Sequence, residues 1–230
     1  MKTIGLIGGM SWESTQSYYR LLNLGVKEHL GGLHSAKIIL YSVDFAPIEA
    51  MQRDGKWDEA GKILEDAALS LEKAGANLLL LCTNTMHKVA PILTRSLDIP
   101  FIHIAQATAK ALQKANKHHA ILLGTKFTMQ EDFYTAILEN EGIRVTIPDE
   151  KAIETINRVI FEELCLGLCK ESSKHSFLDI IHQLYHNDET IDSVILGCTE
   201  IGLLIEQKDS FLPFFDTTLL HVKEALHQAL

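Results

Sequence analysis

The sequence predicts an α/β protein with mainly parallel sheets flanked by helices. Short apolar runs of about four to seven residues alternate with longer amphipathic stretches, which is the pattern of strands separated by helices. Few of the turn dipeptides that close hairpins lie between them, so the strands are expected to run parallel and to be joined by helices. Of the 230 residues, 47% are hydrophobic and 22% are charged, the composition of an ordinary folded protein.

Each element follows from its own apolar pattern. The predicted strands span residues 3–7, 36–42, 78–82, 101–104, 120–123, 144–147 and 193–196. The predicted helices span residues 12–30, 57–74, 106–114, 129–140, 151–166, 174–187 and 218–229. Gly75 and Gly142 each follow a predicted helix and precede a strand, where glycine supplies the left-handed cap that other residues resist.

Charge and apolar run length exclude two classes of partner. The 21 lysines and arginines are outnumbered by 30 acidic residues, for a net charge of −9, and form no cluster along the chain. A nucleic-acid partner is therefore not expected, because phosphate binding needs concentrated positive charge. No apolar run approaches the roughly 18 to 20 residues of a membrane-spanning helix, and the first apolar stretch is too short for a signal peptide. We expect a cytoplasmic protein whose four sparse cysteines are free thiols.

One strand-end pattern occurs in both halves of the chain. Residues 79–85 and 194–200 each form an apolar strand that ends in small and polar side chains. Aligning the two places Thr83 against Cys198, Asn84 against Thr199 and Thr85 against Glu200. Ligands of open α/β sheets lie beyond the carboxyl ends of strands, so both segments are candidate site positions.

Cys198 is the strongest single candidate for chemistry. It follows a buried-looking strand and Gly197, and it precedes a predicted helix start whose amides and dipole would stabilise a thiolate. The alternative is a small buried hydrophobic residue, which is the common state of a free cysteine.

The segment after the third strand offers several polar groups. Successive strand side chains face opposite sides, so Thr83 is expected to face substrate and Cys82 the core. Asn84 and Thr85 would donate hydrogen bonds to a carboxylate, or would simply cap the following helix. His87 is more often a hydrogen-bonded packing residue than a catalyst at such a position.

Two glycine-containing turns and a cysteine pair complete the candidates. Gly8-Gly9-Met10 opens a helix and suits an anionic group, but it lacks the glycine order of a dinucleotide site. After the strand at 120–123, Thr125 and Thr128 are candidate hydroxyl donors, although Thr128 could instead cap the helix. Cys165 and Cys169 share a helix face, but no second ligand pair with matching spacing supports a metal site.

Together these segments resemble the aspartate/glutamate racemase family from end to end. Within that family the chain is most similar to the broad-specificity bacterial amino-acid racemases. The motifs that carry the resemblance are Ile4-Gly5-Leu6-Ile7-Gly8-Gly9-Met10 with Thr15, Thr83-Asn84-Thr85-Met86-His87, Leu123-Gly124-Thr125-Lys126 with Thr128, residues 157–163, and Gly197-Cys198-Thr199-Glu200 with Phe215-Asp216.

The resemblance implies two similar α/β domains with the active site in the cleft between them, no pyridoxal phosphate or metal cofactor, and a homodimer. The expected domains are residues 1–114 with 213–230, which carry Thr83, and residues 115–212, which carry Cys198. Two opposed residues would remove and return the α-proton of an amino acid, because inversion needs an acid and a base on opposite faces. By position these are Cys198 and Thr83. The residues expected to bind substrate are Met10, Gln52, Asn84, Thr85, Thr125, Thr128, Thr199 and Glu200.

The chain departs from the family pattern at two places. The first family cysteine is replaced by Thr83, whose hydroxyl is a far weaker acid than a thiol and can at most relay a proton. Near Cys165, a lysine that binds the distal carboxylate in some relatives is absent, which favours a looser pocket. The expected turnover is therefore slow, or strongly favours one enantiomer. A single-cysteine decarboxylase or isomerase of small carboxylates, and an amino-acid-binding protein of little activity, are the alternatives.

Overall fold

The computed structural model describes all residues from 1 to 230, which divide into two compact units. The first unit contains residues 1–104 and 221–230, and the second contains residues 105–220. Each unit holds one parallel sheet, as the alternation of apolar and amphipathic stretches predicts. No helix has both the length and the apolar composition needed to cross a membrane.

The first sheet has three strands in the order β2-β1-β3, namely β1 (Ile4–Gly8), β2 (Ile38–Ser42) and β3 (Leu78–Leu81). Ile4 pairs with Ile38 on one side and with Leu78 on the other, so β1 is central. The helices along this part of the chain are α1 (Trp12–Leu30), α2 (Phe45–Arg53), α3 (Trp57–Lys73) and α4 (Ala90–Thr94), with a 3₁₀ helix at Thr85–Val89.

The core of the first unit lies on both faces of this sheet. Leu78, Leu80 and Cys82 pack on one face with α1, whereas Leu79 and Leu81 pack on the other face with α3. Alternate strand residues point to opposite faces, so β1 and β3 are apolar throughout.

The second sheet has four strands in the order β5-β4-β6-β7. They are β4 (His119–Gly124), β5 (Arg144–Thr146), β6 (Ser193–Gly197) and β7 (Phe214–Asp216). The remaining helices are α5 (Ile104–Lys114), α6 (Lys126–Gln130), α7 (Asp132–Asn140), α8 (Glu150–Glu162), α9 (Glu171–Asn187), α10 (Ile201–Leu204) and α11 (Thr217–Ala229), with 3₁₀ helices at Leu164–Leu166 and Gln207–Asp209.

Three of the predicted elements differ from the structure, and elements such as α2 and β7 lie outside the predicted ones. The strand predicted at 101–104 is a single bridge from Leu79 to Phe101, because α5 already begins at Ile104. The helix predicted at 129–140 is interrupted at Glu131, whose extended backbone separates α6 from α7. The helix predicted at 151–166 ends at Glu162, before a 3₁₀ turn.

The division into units also differs from the expected domain limits. The side chains of Thr108 and Gln113 on α5 contact α7 and the residue after it, Tyr134 and Glu141, so α5 joins the second unit. Strand β7 is hydrogen-bonded to β6 in the second sheet, so the chain does not return to the first unit at residue 213.

Candidate functional site

Thr83 lies in the irregular segment between β3 and the 3₁₀ helix. Its N–H donates to the carbonyl of Leu81 at 2.9 Å, and its side chain is half-buried. Cys82 is fully buried in the core, as expected, and burial raises the pKa of its thiol. The Ser14 hydroxyl donates to the Cys82 carbonyl at 2.8 Å and holds the end of β3 against α1. This tether could not be predicted from the sequence, because the two residues are far apart in the chain.

Asn84 and Thr85 are both buried directly after Thr83. Asn84 precedes the 3₁₀ helix, but its side chain makes no capping hydrogen bond. The capping role considered for it is therefore not the one that the structure shows.

Met10 and Gln52 are buried elsewhere in the same unit. Gly9 has a φ of 97°, and a Cβ there would lie 2.1 Å from the Val43 carbonyl oxygen, so the turn before Met10 needs glycine. The Thr15 hydroxyl accepts from the Gly9 N–H at 2.8 Å and closes the turn. The amide of Gln52 donates to the Met86 sulfur at 2.9 Å, which is a weak acceptor.

Cys198 follows β6 in the second unit and is 8% exposed. Its thiol donates to Oε2 of Glu200 at 3.0 Å, and the Thr199 hydroxyl donates to the same oxygen. Glu200 is itself buried, so a carboxylate, a thiol and a hydroxyl meet in a site with little water.

The electrostatics at Cys198 differ from the sequence expectation. Burial, followed by the negative charge of Glu200, raises the pKa of the Cys198 thiol well above its ordinary value. The backbone hydrogen bond from Glu200 opposes this only weakly, and α10 is a single short turn. The resting side chain is therefore a thiol, and a nearby base is needed to remove its proton.

Thr125 and Thr128 form a buried pair after β4. Thr125 is the cap of α6, because its hydroxyl accepts from the Thr128 N–H at 3.3 Å, and the two hydroxyls lie 3.1 Å apart. Thr128 therefore does not have the capping role considered for it. Asn157 on α8, the first residue of the 157–163 motif, accepts from the Lys126 N–H at 2.9 Å and fixes the same turn.

The other cysteines form neither a disulfide nor a metal site. All four cysteines are free thiols, with Cys165 partly exposed and Cys169 exposed. No group of three or more histidine, cysteine, aspartate or glutamate side chains is arranged to hold a metal ion.

Three histidine rings lie close together beside the 3₁₀ helix that follows Thr83, with His87 and His221 buried and His103 half-buried. His103 and His221 lie with ring centroids 4.6 Å and 5.8 Å from that of His87. Burial lowers the pKa of His103 to about 4 and of His221 to about 3, and lowers that of His87 well below its usual value. The three rings are therefore neutral at physiological pH.

These histidines predict that the protein loses stability in mild acid. In the unfolded chain these histidines bind protons near pH 6.5, whereas in the folded chain they do not. Their contribution to the free energy of unfolding is therefore fully present above pH 6.5 and is lost as pH falls toward 4. We expect the free energy of unfolding to be roughly 3 kcal/mol lower at pH 5.5 than at pH 7.0, measured by urea titration. His103→Gln should remove about a third of that dependence. Equal stability at both pH values would contradict the assignment.

Comparison with known proteins places this arrangement in a family. The family model described as Asp/Glu/Hydantoin racemase matches residues 7–225. A broad-specificity amino-acid racemase of Bacillus subtilis is 25% identical over 97% of this chain and 96% of its own length. A crystal structure of a Yersinia pestis protein assigned to the Asp/Glu racemases is 48% identical, with a TM-score of 0.91 over 100% of this chain and 99% of that chain.

A second crystal structure is similar to this chain over nearly its whole length. An aspartate racemase homologue from Pyrococcus horikoshii is 37% identical, with a TM-score of 0.85 over 100% of this chain and 99% of that one. The family match and both structural likenesses extend over nearly the whole chain. The chain therefore belongs to the Asp/Glu/Hydantoin racemase family.

Proposed function

We propose that the protein is a cofactor-independent amino-acid racemase in which Cys198 and Thr83 exchange protons with opposite faces of the substrate α-carbon. The observation that carries this proposal is the buried Cys198 thiol hydrogen-bonded to the Glu200 carboxylate at the end of β6. Thr83 follows β3 in the other unit at the corresponding position. Family membership makes the enzyme an isomerase of the racemase type.

The thiol–carboxylate pair supplies a base. Glu200 takes the Cys198 proton, and the resulting thiolate takes the α-proton of the substrate, leaving a carbanion. The buried hydroxyl of Thr125 is proposed to donate a hydrogen bond to the substrate and to stabilise its developing negative charge, whereas the half-buried Thr199 hydroxyl donates to Glu200. Low exposure strengthens each of these interactions.

Thr83 returns a proton on the other face. Its hydroxyl gives its own proton to the carbanion and is reprotonated by water, because a threonine alkoxide is too basic to persist, and the hydroxide left behind takes the proton that Glu200 received from Cys198. The hydroxyl is a poor base, so the enantiomer whose α-hydrogen faces Cys198 should exchange that hydrogen faster than it inverts.

A broad range of amino acids is the proposed substrate class, with aspartate and glutamate included. None of the eight residues expected to bind substrate is a lysine or arginine. A distal carboxylate would thus find amide and hydroxyl donors and no cation, which favours recognition of the α-amino-acid portion over strict selection for a second carboxylate.

The replacement of a second thiol by Thr83 favours one alternative reaction. A single acidic thiol suffices to protonate the carbanion left when a small diacid loses carbon dioxide. Decarboxylation is therefore the second candidate, and it is distinguished by its product.

The test is incubation of the purified protein with separate L- and D-amino acids, including aspartate and glutamate, and with small malonate-type diacids. Chiral chromatography measures inversion, and gas analysis measures carbon dioxide. Appearance of the opposite enantiomer supports the racemase. Release of carbon dioxide without inversion supports the decarboxylase. If neither product forms, the remaining alternative is an amino-acid-binding protein.

We also propose that the protein is a homodimer. Large apolar side chains are exposed on α1 and on the edge strand β2, namely Trp12 at 64%, Tyr19 at 56%, Leu40 at 45% and Tyr41 at 43%. Exposed apolar patches and unprotected edge strands commonly mark association surfaces. Analytical ultracentrifugation should give about twice the chain mass, and Leu40→Lys should shift the protein toward monomer. A monomer at all concentrations would contradict this proposal.

The reaction requires a reduced Cys198. All four cysteines are free, and we propose a cytoplasmic location, where thiols stay reduced. Cell fractionation with an antibody to the native protein tests this directly, and recovery from an oxidising compartment would contradict it.

A further inference from the structure

The His87 ring is fixed by two hydrogen bonds, one to the backbone of Thr83 and one to the backbone of Ile104. Its Nδ1 lies 2.8 Å from the Thr83 carbonyl oxygen, and the Ile104 N–H donates to its Nε2 at 3.2 Å. A carbonyl can only accept and an N–H can only donate, so the ring is neutral with its hydrogen on Nδ1. The ring is 1% exposed, so burial and the two hydrogen bonds prevent it from rotating freely.

The surroundings of His87 hold this ring in place. The ring packs against His103 and His221, and His221 is itself fixed between the Tyr18 hydroxyl at 2.8 Å and the Ile102 carbonyl at 2.7 Å. Through His221 these contacts reach Tyr18 on α1 and Ile102 before α5, which both belong to the core of the first unit.

Thr83 has little other support. It lies in neither a helix nor a strand, its N–H donates to Leu81, and its carbonyl accepts from the His87 ring. The peptide unit after Thr83 therefore takes its orientation from His87, and the direction of the Thr83 side chain depends on that backbone.

We propose that His87 is a positioning residue that orients Thr83 for proton return, an inference that rests on the proposed racemase function. The ring itself contacts the Thr83 carbonyl and exchanges no proton with substrate. Misplacing the Thr83 hydroxyl would slow inversion while leaving proton removal by Cys198 intact.

Two amide replacements separate the two bonds of His87. In His87→Asn the side-chain N–H₂ takes the place of Nδ1 and keeps the bond to Thr83. In His87→Gln the amide reaches the place of Nε2 and keeps only the bond to Ile104. Each variant loses one hydrogen bond of the ring, so their stabilities should be similar.

The readout is the ratio of α-proton exchange to inversion in deuterium oxide, measured for each enantiomer by proton NMR and chiral chromatography. For the enantiomer that exchanges faster, His87→Gln should raise this ratio roughly tenfold and His87→Asn should leave it within about threefold of the wild type. A merely structural role would lower exchange and inversion together. An unchanged ratio in His87→Gln would overturn the proposal.

Thr83→Val separates this inference from the function on which it rests. If the wild type shows neither exchange nor inversion, or if Thr83→Val leaves the ratio unchanged, the proposed function or the role of Thr83 fails. If Thr83→Val raises the ratio and His87→Gln does not, only the inference about His87 fails.

A measurement on the wild type covers the case in which His87→Gln does not fold. The imidazole Nδ1–H resonance of His87 should shift when substrate is added, because Thr83 accepts from this ring and is proposed to contact the substrate. The ring of His119, held between Thr190 and Thr146, serves as the control and should not shift. No shift at His87 on saturation would overturn the proposal.

Discussion

Cys198→Ala is expected to lower kcat/KM for racemisation by about 10³-fold or more. Alanine keeps the small apolar volume at the end of β6 and removes the thiol that donates to Glu200. The variant should remain folded, because Cys198 is a small side chain among larger core residues. Chiral chromatography of both enantiomers measures the loss, and circular dichroism checks the fold.

The matched control is Cys169→Ala. Cys169 is exposed, and its sulfur makes only a long contact of 3.7 Å to the Leu203 carbonyl. We expect activity within about twofold of the wild type. Comparable loss in both variants would mean that cysteine removal acts through general destabilisation rather than chemistry.

Glu200→Gln is expected to lower kcat by about 10²-fold at pH 7. The amide keeps the shape of the side chain but cannot take the Cys198 proton. Removing the negative charge also removes one cause of the raised pKa of Cys198, so the thiol of the variant should ionise at lower pH than that of the wild type. The two effects have opposite signs, since the thiolate forms more easily but the internal base is lost.

The rate of iodoacetamide alkylation of the Cys198 peptide as a function of pH, followed by mass spectrometry because Cys165 and Cys169 are also free, reports ionisation of Cys198 separately from turnover. The alkylation midpoint should lie at lower pH in Glu200→Gln than in the wild type. Thr199→Val removes only the second donor to the Glu200 carboxylate, so its turnover should fall less than that of Glu200→Gln. Full activity in Glu200→Gln would rule out the carboxylate as the base.

The buried strands could be predicted because their sequences are nearly uniform. Strand β3 is apolar throughout and β6 holds three consecutive apolar residues after Ser193, since both faces of each strand are covered. Helix α1 has clear apolar periodicity and a serine cap. Helix α2 was missed because only Ile48 and Gln52 are buried along it, which leaves no apolar stripe. Strand β7 was missed because it is three half-buried residues at the edge of a sheet.

The sequence predicts that Thr83 and Cys198 each follow a strand, but it does not predict the contacts that these residues make. The strand ends identify Thr83 and Cys198, because small and polar residues follow apolar runs there. The carboxylate that contacts Cys198 was a predicted substrate ligand, and the sequence cannot show that the Glu200 side chain turns back to the thiol. The bond from His87 to the Thr83 carbonyl likewise depends on backbone geometry in an irregular turn.

The most direct test of the central claim is proton NMR of the α-hydrogen in deuterium oxide for the wild type, Cys198→Ala and Thr83→Val. We predict that the wild type washes out the α-proton signal of an amino acid and forms its enantiomer. Cys198→Ala should do neither, and Thr83→Val should exchange one enantiomer with little inversion. Exchange and inversion that persist in Cys198→Ala would contradict the account.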